Sequence, residues 1–449
     1  MVILCPKCKF AELPILTISG LRGIVPSDLT TDAFLKAGSA FGQLIEGRTC
    51  VVGRDTRKSG QMAANAVIAG LLSKGCRVLD IGIVSTPAVF REVKTRNIEG
   101  GISVTSSHNP PEWNGAKFIV KPGRGVFEDE LQKIKDNMNN GNSFREGNLF
   151  AEETSYPSDI ISFIGSNTCK GVKVAVDLGG GAGCVFLPQA LERLGANVIS
   201  LNAVPGIFSR TIDPTADPLE ELSSVVKENR CDVGFGYDCD VDRLVIMNDK
   251  GEKLAADYTV IFGLKYIAER EGLAKACISV DTSLSVANYL KSIKAKIYRA
   301  KVGEANVLKG MLDNDCTSGG EGSSGGFIHT PINMCRDGLL ISSIVLWLVS
   351  KYGSLEKILE GIQEFKQERI KLHCSRALAP KIMSILQKRF PDSQTIDGIG
   401  ISTEDAWVLI RPSNTEDVMR LSVEAKTSQR AKTLAAEYKK IIESAIKAG

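Results

Sequence analysis

Histidine, net charge and long hydrophobic runs are all scarce in this sequence of 449 residues. There are three histidines, and Lys+Arg 55 nearly balance Asp+Glu 52, which leaves a formal net charge of +3. This balance argues against a nucleic-acid partner, because nucleic-acid-binding domains usually carry clustered basic surfaces. The longest apolar run, residues 339–349, contains two serines and falls short of the ~20 residues of a membrane-spanning helix. We therefore expect a buried core helix there and no membrane partner.

Signals for export, disulfides and zinc are weak as well. The first residues carry no basic segment and no small-residue cleavage site, so we expect a cytoplasmic protein. Most of the 12 cysteines lie in apolar runs, as reduced core cysteines of cytosolic proteins do. Cys5 and Cys8 form one CxxC pair, but a structural zinc needs four ligands and no second CxxC pair follows. We interpret that pair as accidental.

The composition and the strand pattern predict a four-domain protein. Hydrophobic and charged fractions of 43% and 24% are those of a globular chain with a substantial core. Short β-branched strands alternate with helices up to about residue 350, and the pattern restarts twice, which predicts three similar α/β domains with mainly parallel mixed sheets. Strand–turn–strand runs after Gln367 predict a C-terminal α+β domain. The predicted domains are residues 1–150, 151–252, 253–365 and 366–449, with a hairpin and linker over 137–169.

Each predicted domain ends one strand in a polar, often glycine-bearing loop. These loops span residues 105–110, 237–243, 319–326 and 411–416. In open α/β sheets, ligands bind beyond the carboxyl ends of the strands. The four loops are therefore the candidate functional segments, and they would share one cleft if the domains face a common centre.

The second loop carries three alternating carboxylates, Asp238, Asp240 and Asp242. On an extended backbone alternate side chains share a face, so we expect the three carboxylates to converge. Converging carboxylates repel one another unless a cation lies between them, and oxygen ligands suit Mg²⁺, Ca²⁺ or Mn²⁺. A calcium hand loop is excluded because Arg243 stands where that loop needs glycine. A solvated acidic turn is the remaining alternative.

The first loop offers a nucleophile, and the fourth offers a phosphate clamp. Ser107 needs a base or a metal to activate its hydroxyl. His108 is a poor direct base if the backbone is extended, because adjacent side chains then point to opposite faces. Lys117 could return toward the serine as an acid/base or as a phosphate ligand. Arg411 with the hydroxyls and amide that follow forms a donor set suited to a phosphate dianion.

The third loop suits sugar recognition. The Glu321 carboxylate can accept from paired sugar hydroxyls, Ser323 and Ser324 add two hydroxyl groups, and the flanking glycines permit close approach. A flexible Gly/Ser turn explains this loop equally well. Combined with the other loops, it predicts phosphoryl transfer. No nucleotide-kinase loop of the GxxxxGK[ST] type occurs.

Together and in this order, the four loops resemble those of the α-D-phosphohexomutase superfamily. The resemblance runs from residues 19–23 to Arg420 and implies four domains around a central cleft. It implies a Mg²⁺-dependent phosphosugar mutase that interconverts hexose or hexosamine 1-phosphate and 6-phosphate. Phosphate would move from a phosphoserine to the sugar, through a hexose 1,6-bisphosphate that also serves as activator. The third loop favours the phosphoglucosamine or phosphomannose members, and phosphoglucose remains open.

The resemblance also implies a role for each matched residue. Ser107 is the phosphoserine and a metal ligand with Asp238, Asp240 and Asp242. Lys117, Arg22 and His108 belong to the catalytic group, with Lys117 as acid/base. The residues expected to bind substrate are Arg243, Gly303, Glu321, Ser323, Ser324, Arg411, Ser413, Asn414, Thr415 and Arg420.

The sequence departs from the family pattern at three positions of these loops. Cys239 and Val241 replace the two glycines of the usual metal loop, and Ser106 replaces the usual alanine. A phosphosugar-binding relative with weak or no turnover is therefore an alternative, as is a phosphopentomutase. A metal-dependent phosphatase would need no serine, so replacing Ser107 with alanine separates it from a mutase. The sequence leaves monomer and dimer open.

Overall fold

The computed structural model describes residues 15–140, 144–403, 405–413 and 417–448. The chain divides into two compact units. Unit 1 comprises the described residues up to Tyr266 together with Gly325–Ile358, and unit 2 comprises Ile267–Ser324 and the described residues from Leu359 onward. Cys5 and Cys8 lie outside the described residues, so the interpretation of that pair stays a prediction.

Unit 1 begins with a mixed sheet in the order β1-β2-β6-β5-β3-β4-β8, with β7 beside β6. Strands β5, β3, β4 and β8 run parallel, whereas β6 and β2 run antiparallel to their neighbours. The elements are β1 Ile15–Thr17, β2 Gly20–Ile24, α1 Thr31–Leu44, β3 Thr49–Arg54, α2 Gly60–Leu72, β4 Arg77–Ile83, α3 Thr86–Thr95, β5 Gly100–Val104, β6 Trp113–Val120, β7 Arg124–Gly125, α4 Glu128–Asn140, β8 Asn148–Ala151 and α5 Tyr156–Ile164.

A second sheet of unit 1 has the order β10-β9-β11-β12. Its first three strands are parallel and β12 is antiparallel to β11. The elements are β9 Lys173–Asp177, α6 Leu187–Arg193, β10 Asn197–Leu201, α7 Glu220–Glu228, β11 Val233–Tyr237, β12 Leu244–Met247 and α8 Tyr258–Arg270. All five residues of β11 are buried, so the acidic loop that follows, residues 237–243, starts from the interior of the sheet.

Unit 2 contains a parallel arrangement, β14-β13-β15, and an antiparallel sheet, β17-β20-β19-β18. The antiparallel sheet packs its apolar face against α13 and α14 in one core cluster. The elements of unit 2 are β13 Lys275–Ser279, α9 Leu284–Ser292, β14 Lys296–Ala300, α10 Glu304–Asp313, β15 Ser318–Glu321, β17 Lys366–His373, α13 Ala379–Arg389, β18 Ile399–Ser402, β19 Ala406–Pro412, β20 Val418–Ala425 and α14 Ser428–Ala448. The segment Gly325–Ile358 of unit 1 contains β16 Gly326–His329, α11 Gly338–Tyr352 and α12 Leu355–Ile358.

The predicted fold class, α/β domains followed by an antiparallel α+β domain, is confirmed. The prediction of a hairpin and linker over residues 137–169 is wrong. This segment contributes the parallel edge strand β8 and the helix α5. Strand β8 was missed because all four of its residues are exposed and show no alternation of apolar side chains. Helix α5 buries Ile160, Ile161 and Ile164, and a proline stands in its first turn, where a missing N–H costs nothing.

The apolar run near residue 340 is the core helix that the sequence predicts. Helix α11 begins after Asp337, whose carboxylate accepts from the Leu340 amide and so caps the helix. Eleven of its residues are buried, and they include serines as well as leucines. Across the described ranges, no helix has both the length and the hydropathy needed to cross a membrane.

Candidate active site

Three carboxylates converge at the carboxyl end of β11. One ligand oxygen from each of Asp238, Asp240 and Asp242 lies within 4.8 Å of the others, and all three residues are buried. The expected convergence is present, but the expected cause is wrong, because the loop is a turn rather than an extended strand. Val241 has φ 60°, a left-handed conformation that is strained for a β-branched residue. The turn, not strand alternation, brings the carboxylates together.

Both substituted positions of this loop are accommodated in the interior. The Cys239 thiol is buried 3.7 Å from the Thr56 hydroxyl, and burial raises the pKa of the thiol well above its usual value. The Val241 carbonyl accepts a hydrogen bond from the Gly338 amide at 3.0 Å. The loop therefore keeps a fixed shape although neither residue is glycine.

Cationic side chains face two of the three carboxylates. The Lys117 ammonium lies 2.8 Å from Asp240 Oδ2 and 2.7 Å from Asp242 Oδ2. Arg336 donates to Asp242 Oδ2 at 3.0 Å. The Thr86 hydroxyl, at the start of α3, donates to Asp240 Oδ2 at 2.5 Å. These contacts fix the orientation of both carboxylates.

The electrostatics differ between the two ends of the cluster. Burial and the neighbouring charges of Asp242 and Asp240 raise the pKa of Asp238 well above its usual value. Burial would also raise the pKa of Asp242, but Arg336, Lys117 and Arg243 outweigh it and hold that pKa well below the usual range. Asp238, whose pKa is raised mainly by burial, is therefore the carboxylate that the neighbouring cations compensate least.

The carboxylate cluster fits a hard divalent cation. Asp240 Oδ1 and Asp242 Oδ1 are buried, and neither has a hydrogen-bond partner among the described residues. Asp242 Oδ1 lies 3.9 Å from Arg243 Nε, whereas Asp240 Oδ1 has no cation of the described residues beside it. Buried polar atoms are normally satisfied, so the unpartnered Asp240 oxygen points to a missing partner of positive charge. Oxygen-only ligands of this kind suit Mg²⁺ or Ca²⁺ rather than softer metals.

Ser107 lies at the edge of this cluster. Its hydroxyl donates to Asp238 Oδ2 at 3.0 Å, and its backbone has φ 50°, in the left-handed region. This turn also overturns the expectation that His108 points away, because His108 Nδ1 lies 3.5 Å from Ser107 Oγ. Burial and the charges of Arg243 and Arg22 lower the pKa of His108 to about 3, so its ring is neutral near neutral pH.

Two further arginines surround the serine turn. Arg22 projects from β2 and donates to the Asn109 side-chain oxygen at 3.0 Å. Arg243 lies 3.3 Å from an Asp213 oxygen, and its backbone N–H donates to Asp238 Oδ1. Unit 1 thus brings together the residues that the sequence assigns to catalysis and metal binding, together with Arg243, which it assigns to substrate binding. The catalytic and metal-binding residues are Ser107, His108, Lys117, Arg22, Asp238, Asp240 and Asp242.

In unit 2, the candidate sugar loop is bound to the buried carboxylate of Asp281. Glu321 ends β15 and is 8% exposed, and the Ser324 hydroxyl donates to the Glu321 carbonyl. The Ser323 hydroxyl donates to Asp281 Oδ2 at 2.7 Å, and Ser279 donates to Asp281 Oδ1 at 2.6 Å. The hydroxyls of both serines are therefore hydrogen-bonded within unit 2.

The candidate phosphate loop, also in unit 2, carries two arginines on neighbouring strands. Arg411 on β19 pairs directly with Arg420 on β20, so both side chains share a face. Ser413 is buried at the end of β19, and its amide donates to the Val418 carbonyl. Asn414 and Thr415 lie outside the described residues, so their roles stay predictions. Gly303 stands at the start of α10 with φ 118°.

Sequence reasoning missed Arg336, Thr86, Asp213 and Asp281. Three of them act on residues far away in the chain: Arg336 is 94 positions from Asp242, Thr86 is 154 from Asp240, and Asp281 is 42 from Ser323. The signal that could have found Arg336 and Thr86 is their place beside the start of a helix, because in an α/β unit that place follows a strand.

Sequence models of one family match almost the whole described chain. They are the models of phosphoglucomutase/phosphomannomutase α/β/α domains I, II and III and of its C-terminal domain, which match residues 15–145, 154–251, 255–365 and 366–441. A probable phosphoglucosamine mutase of Methanopyrus kandleri is 33% identical, covering 94% of this chain and 96% of its own. A phosphoglucomutase/phosphomannomutase of Thermococcus kodakarensis is 33% identical, covering 95% of this chain and 98% of its own.

Solved structures share the fold at lower identity. A phosphoglucomutase/phosphomannomutase family protein of Burkholderia thailandensis superposes with a TM-score of 0.86 at 22% identity, covering 96% of this chain and 98% of the other. N-acetylphosphoglucosamine mutase of Aspergillus fumigatus, solved with GlcNAc-6P and magnesium, gives a TM-score of 0.61 at 13% identity, covering 97% and 96%. With four domain models matched in order, this chain belongs to the phosphoglucomutase/phosphomannomutase family.

Proposed function

We propose that this protein is a phosphosugar mutase that interconverts the 1-phosphate and the 6-phosphate of a hexosamine, with glucosamine phosphate as its preferred substrate. The observation that carries the proposal is the Ser107 hydroxyl 3.0 Å from a carboxylate of a buried three-aspartate cluster. The relatives named phosphoglucosamine mutase support the choice of sugar. Hexose phosphates of glucose and mannose are the competing substrates.

The proposed reaction exchanges a phosphoryl group and a proton between two oxygens. A sugar hydroxyl attacks the phosphorus of phosphoserine 107, a new O–P bond forms, and the bond from phosphorus to Ser107 Oγ breaks. The hydroxyl proton leaves the sugar, and one proton returns to Ser107 Oγ, so the net charge is unchanged. The sugar 1,6-bisphosphate then gives its other phosphoryl group back to Ser107 by the reverse step.

Lys117 is the proposed proton carrier of this exchange. Its ammonium lies between Asp240 and Asp242, in the same cluster as the carboxylate that Ser107 contacts. A positioned acid–base group contributes about 10²–10⁴-fold to the rate of such a step. The cations Arg22 and Arg243 flank the serine turn and would stabilise the charge on the phosphoryl oxygens.

Mg²⁺ is the proposed cofactor, held by Asp238, Asp240, Asp242 and an oxygen of phosphoserine 107. When bound, it would supply positive charge that stabilises the transferring phosphoryl group. The unpartnered Asp240 Oδ1 supports this assignment. The Aspergillus fumigatus mutase was solved with magnesium, which is consistent with the same choice of metal.

Glu321, Ser323 and Ser324 are proposed to bind the sugar hydroxyls. Arg411, Ser413, Asn414, Thr415 and Arg420 are proposed to bind the phosphate that is not transferred, and Gly303 to approach the substrate with its backbone. Two guanidinium groups directly opposite one another on adjacent strands repel, and an anion between them removes that repulsion. The arginine pair therefore supports a phosphate site in unit 2.

³¹P NMR tests the proposal directly. Purified protein with Mg²⁺ and a trace of glucose 1,6-bisphosphate is offered glucosamine 1-phosphate, mannose 1-phosphate and glucose 1-phosphate in separate samples. We expect every converted substrate to yield its 6-phosphate, and we expect the fastest conversion for glucosamine 1-phosphate. If none of the three is converted and no free phosphate appears, the hexose mutase is wrong, and a phosphopentomutase or a binding protein without turnover takes its place. Release of free phosphate instead would identify a phosphatase.

Replacing one arginine of the opposed pair should move activity and stability in opposite directions. In Arg411→Gln we expect kcat/KM to fall about 10–100-fold, since a hydrogen bond to a charged group contributes about 1.5–3 kcal/mol. The free energy of unfolding should rise by about 0.5 kcal/mol, because the repulsion with Arg420 is removed. Steady-state kinetics and urea unfolding measure the two effects.

The matched control is Arg369→Gln, which removes an exposed arginine from β17 of the same sheet. It should leave kcat/KM within about twofold, because exposed polar contacts contribute little. Equal losses in the two variants would contradict the phosphate site.

A further inference from the structure

We propose that Arg57 is a positioning residue that holds the Ser107 turn in the geometry required for phosphoryl transfer, an inference that rests on the proposed function. The Arg57 side chain is fully buried, and its guanidinium contacts the protein on every donor side. Its Nε lies 3.1 Å from Asp55 Oδ2. The residue was not among the sequence-based candidates.

The other guanidinium nitrogens bind four main-chain carbonyls of one short segment. Nη2 donates to the carbonyls of Ser107 and Asn109, both at 2.7 Å. Nη1 donates to the carbonyls of Pro110 and Trp113, at 2.5 and 2.8 Å. The serine turn therefore wraps around Arg57 from Ser107 to the start of β6.

Arginine is suited to this task for a geometric reason. Its guanidinium presents five N–H donors in a rigid plane, whereas lysine presents three donors on a single rotating nitrogen. Carbonyls that turn inward and find no donor destabilise the fold. A lysine at position 57 can satisfy the charge of Asp55 but cannot reach four carbonyls, so the turn would relax.

A second set of bonds links the same carboxylate to the serine backbone. Asp55 Oδ2 also accepts from the Thr105 hydroxyl at 2.6 Å. The Thr105 oxygen accepts from the Ser107 amide at 2.8 Å. Because an amide can only donate, the hydrogen of the Thr105 hydroxyl points to Asp55. Arg57 and Thr105 thus hold the Ser107 peptide from its carbonyl and its amide sides.

This network stabilises a backbone conformation that serine rarely adopts. Ser107 has φ 50°, and a non-glycine residue in the left-handed region is strained and persists only when its surroundings hold it. The same turn directs the Ser107 hydroxyl to Asp238 and the Ser106 hydroxyl to the Asn109 side chain. The network therefore determines which of two adjacent serines faces the carboxylate cluster.

Displacing the Ser107 hydroxyl should slow the reaction without weakening substrate binding. Misplacing a reacting atom by about 1 Å can cost about 10²-fold in rate without weakening ground-state binding. In Arg57→Lys and Thr105→Val we therefore expect kcat to fall about 100-fold while KM for the sugar 1-phosphate stays within about twofold. Thr105→Ser keeps the hydroxyl and should restore kcat to within about threefold of the starting protein.

Arg91→Lys provides the matched control for a partly buried arginine. Arg91 pairs with Asp159 at 2.9 Å and donates to the Ile332 carbonyl, but it does not contact the serine turn. It should keep kcat near that of the starting protein. Hydrogen exchange of the peptide containing Ser107, measured by mass spectrometry, should accelerate in Arg57→Lys and not in Arg91→Lys.

Several results would overturn the positioning role. They are an unchanged kcat in Arg57→Lys and Thr105→Val, a kcat loss in Arg91→Lys of the same size, and a Thr105→Ser variant no better than Thr105→Val. If the unaltered protein converts no sugar phosphate, the proposed function fails by itself. In that case hydrogen exchange still decides the positioning role: faster exchange around Ser107 in Arg57→Lys supports it, and unchanged exchange overturns it.

Discussion

Ser107→Ala should abolish mutase turnover, with a loss of at least about a thousandfold in kcat, the scale on which enzymes lose activity when their nucleophile is removed. In the proposed cycle every phosphoryl group passes through Ser107 Oγ, the oxygen that lies 3.0 Å from Asp238. Alanine removes that oxygen and leaves a methyl group that cannot be phosphorylated. The assay follows conversion of glucosamine 1-phosphate to the 6-phosphate, together with incorporation of phosphate from labelled glucose 1,6-bisphosphate.

Ser106→Ala is the control for this variant. Ser106 is equally buried, but its hydroxyl faces the Asn109 side chain rather than the carboxylates. Alanine is also the residue that the family usually carries there, so kcat should stay within about threefold. Retained conversion to the 6-phosphate in Ser107→Ala would contradict the phosphoserine route. Retained release of free phosphate would instead identify a metal-dependent phosphatase, which needs no serine nucleophile.

Loss of the metal should have the second-largest effect. Treatment with a chelator should remove activity, and Mg²⁺ should restore it in the starting protein but not in Asp240→Asn. A metal that stabilises transferring charge contributes several kcal/mol, so we expect a loss of about a thousandfold in kcat. Asp240 carries one of the unpartnered buried oxygens, and an amide there offers a neutral ligand in place of a charged one.

Calorimetric titration of the chelated protein with Mg²⁺ gives a readout that is independent of turnover. Asp240→Asn should bind Mg²⁺ at least about tenfold more weakly than the starting protein, by loss of one ligand charge. Asp80→Asn serves as control, since Asp80 accepts from the Gly82 amide at the end of β4 and lies outside the cluster. Unaltered Mg²⁺ affinity in Asp240→Asn would show that the three aspartates do not hold the metal.

The sequence predicted the identities of the charged groups better than the backbone that presents them. Asp238, Asp240 and Asp242 converge as expected, but through a turn in which Val241 is left-handed, a conformation that strand periodicity cannot foresee. His108 approaches Ser107 because Ser107 is itself left-handed. Periodicity arguments assume regular φ and ψ angles, whereas residues of functional loops often have irregular ones.

Arg57 and Arg336 illustrate a second limit of sequence reasoning. Arg57 acts through main-chain carbonyls, which every residue possesses, so no motif of side chains reveals it. Arg336 acts on a carboxylate 94 residues away, which only the folded chain brings near. The domain boundaries and the common central cleft stay predictions. The fold class could be predicted because alternating strands and helices produce periodic patterns of apolar residues in the sequence.

The chain path of unit 1 has a consequence for how the protein emerges from the ribosome. Unit 1 closes only with Gly325–Ile358, a segment made after the first part of unit 2. At about 5–20 residues per second, roughly 10–50 s separate the synthesis of Ser107 from that of Arg336. Until Arg336 is made, Asp242 lacks one of its counter-charges and the site around Ser107 is incomplete. We therefore expect a transcript truncated before the codon for Arg336 to yield no active fragment.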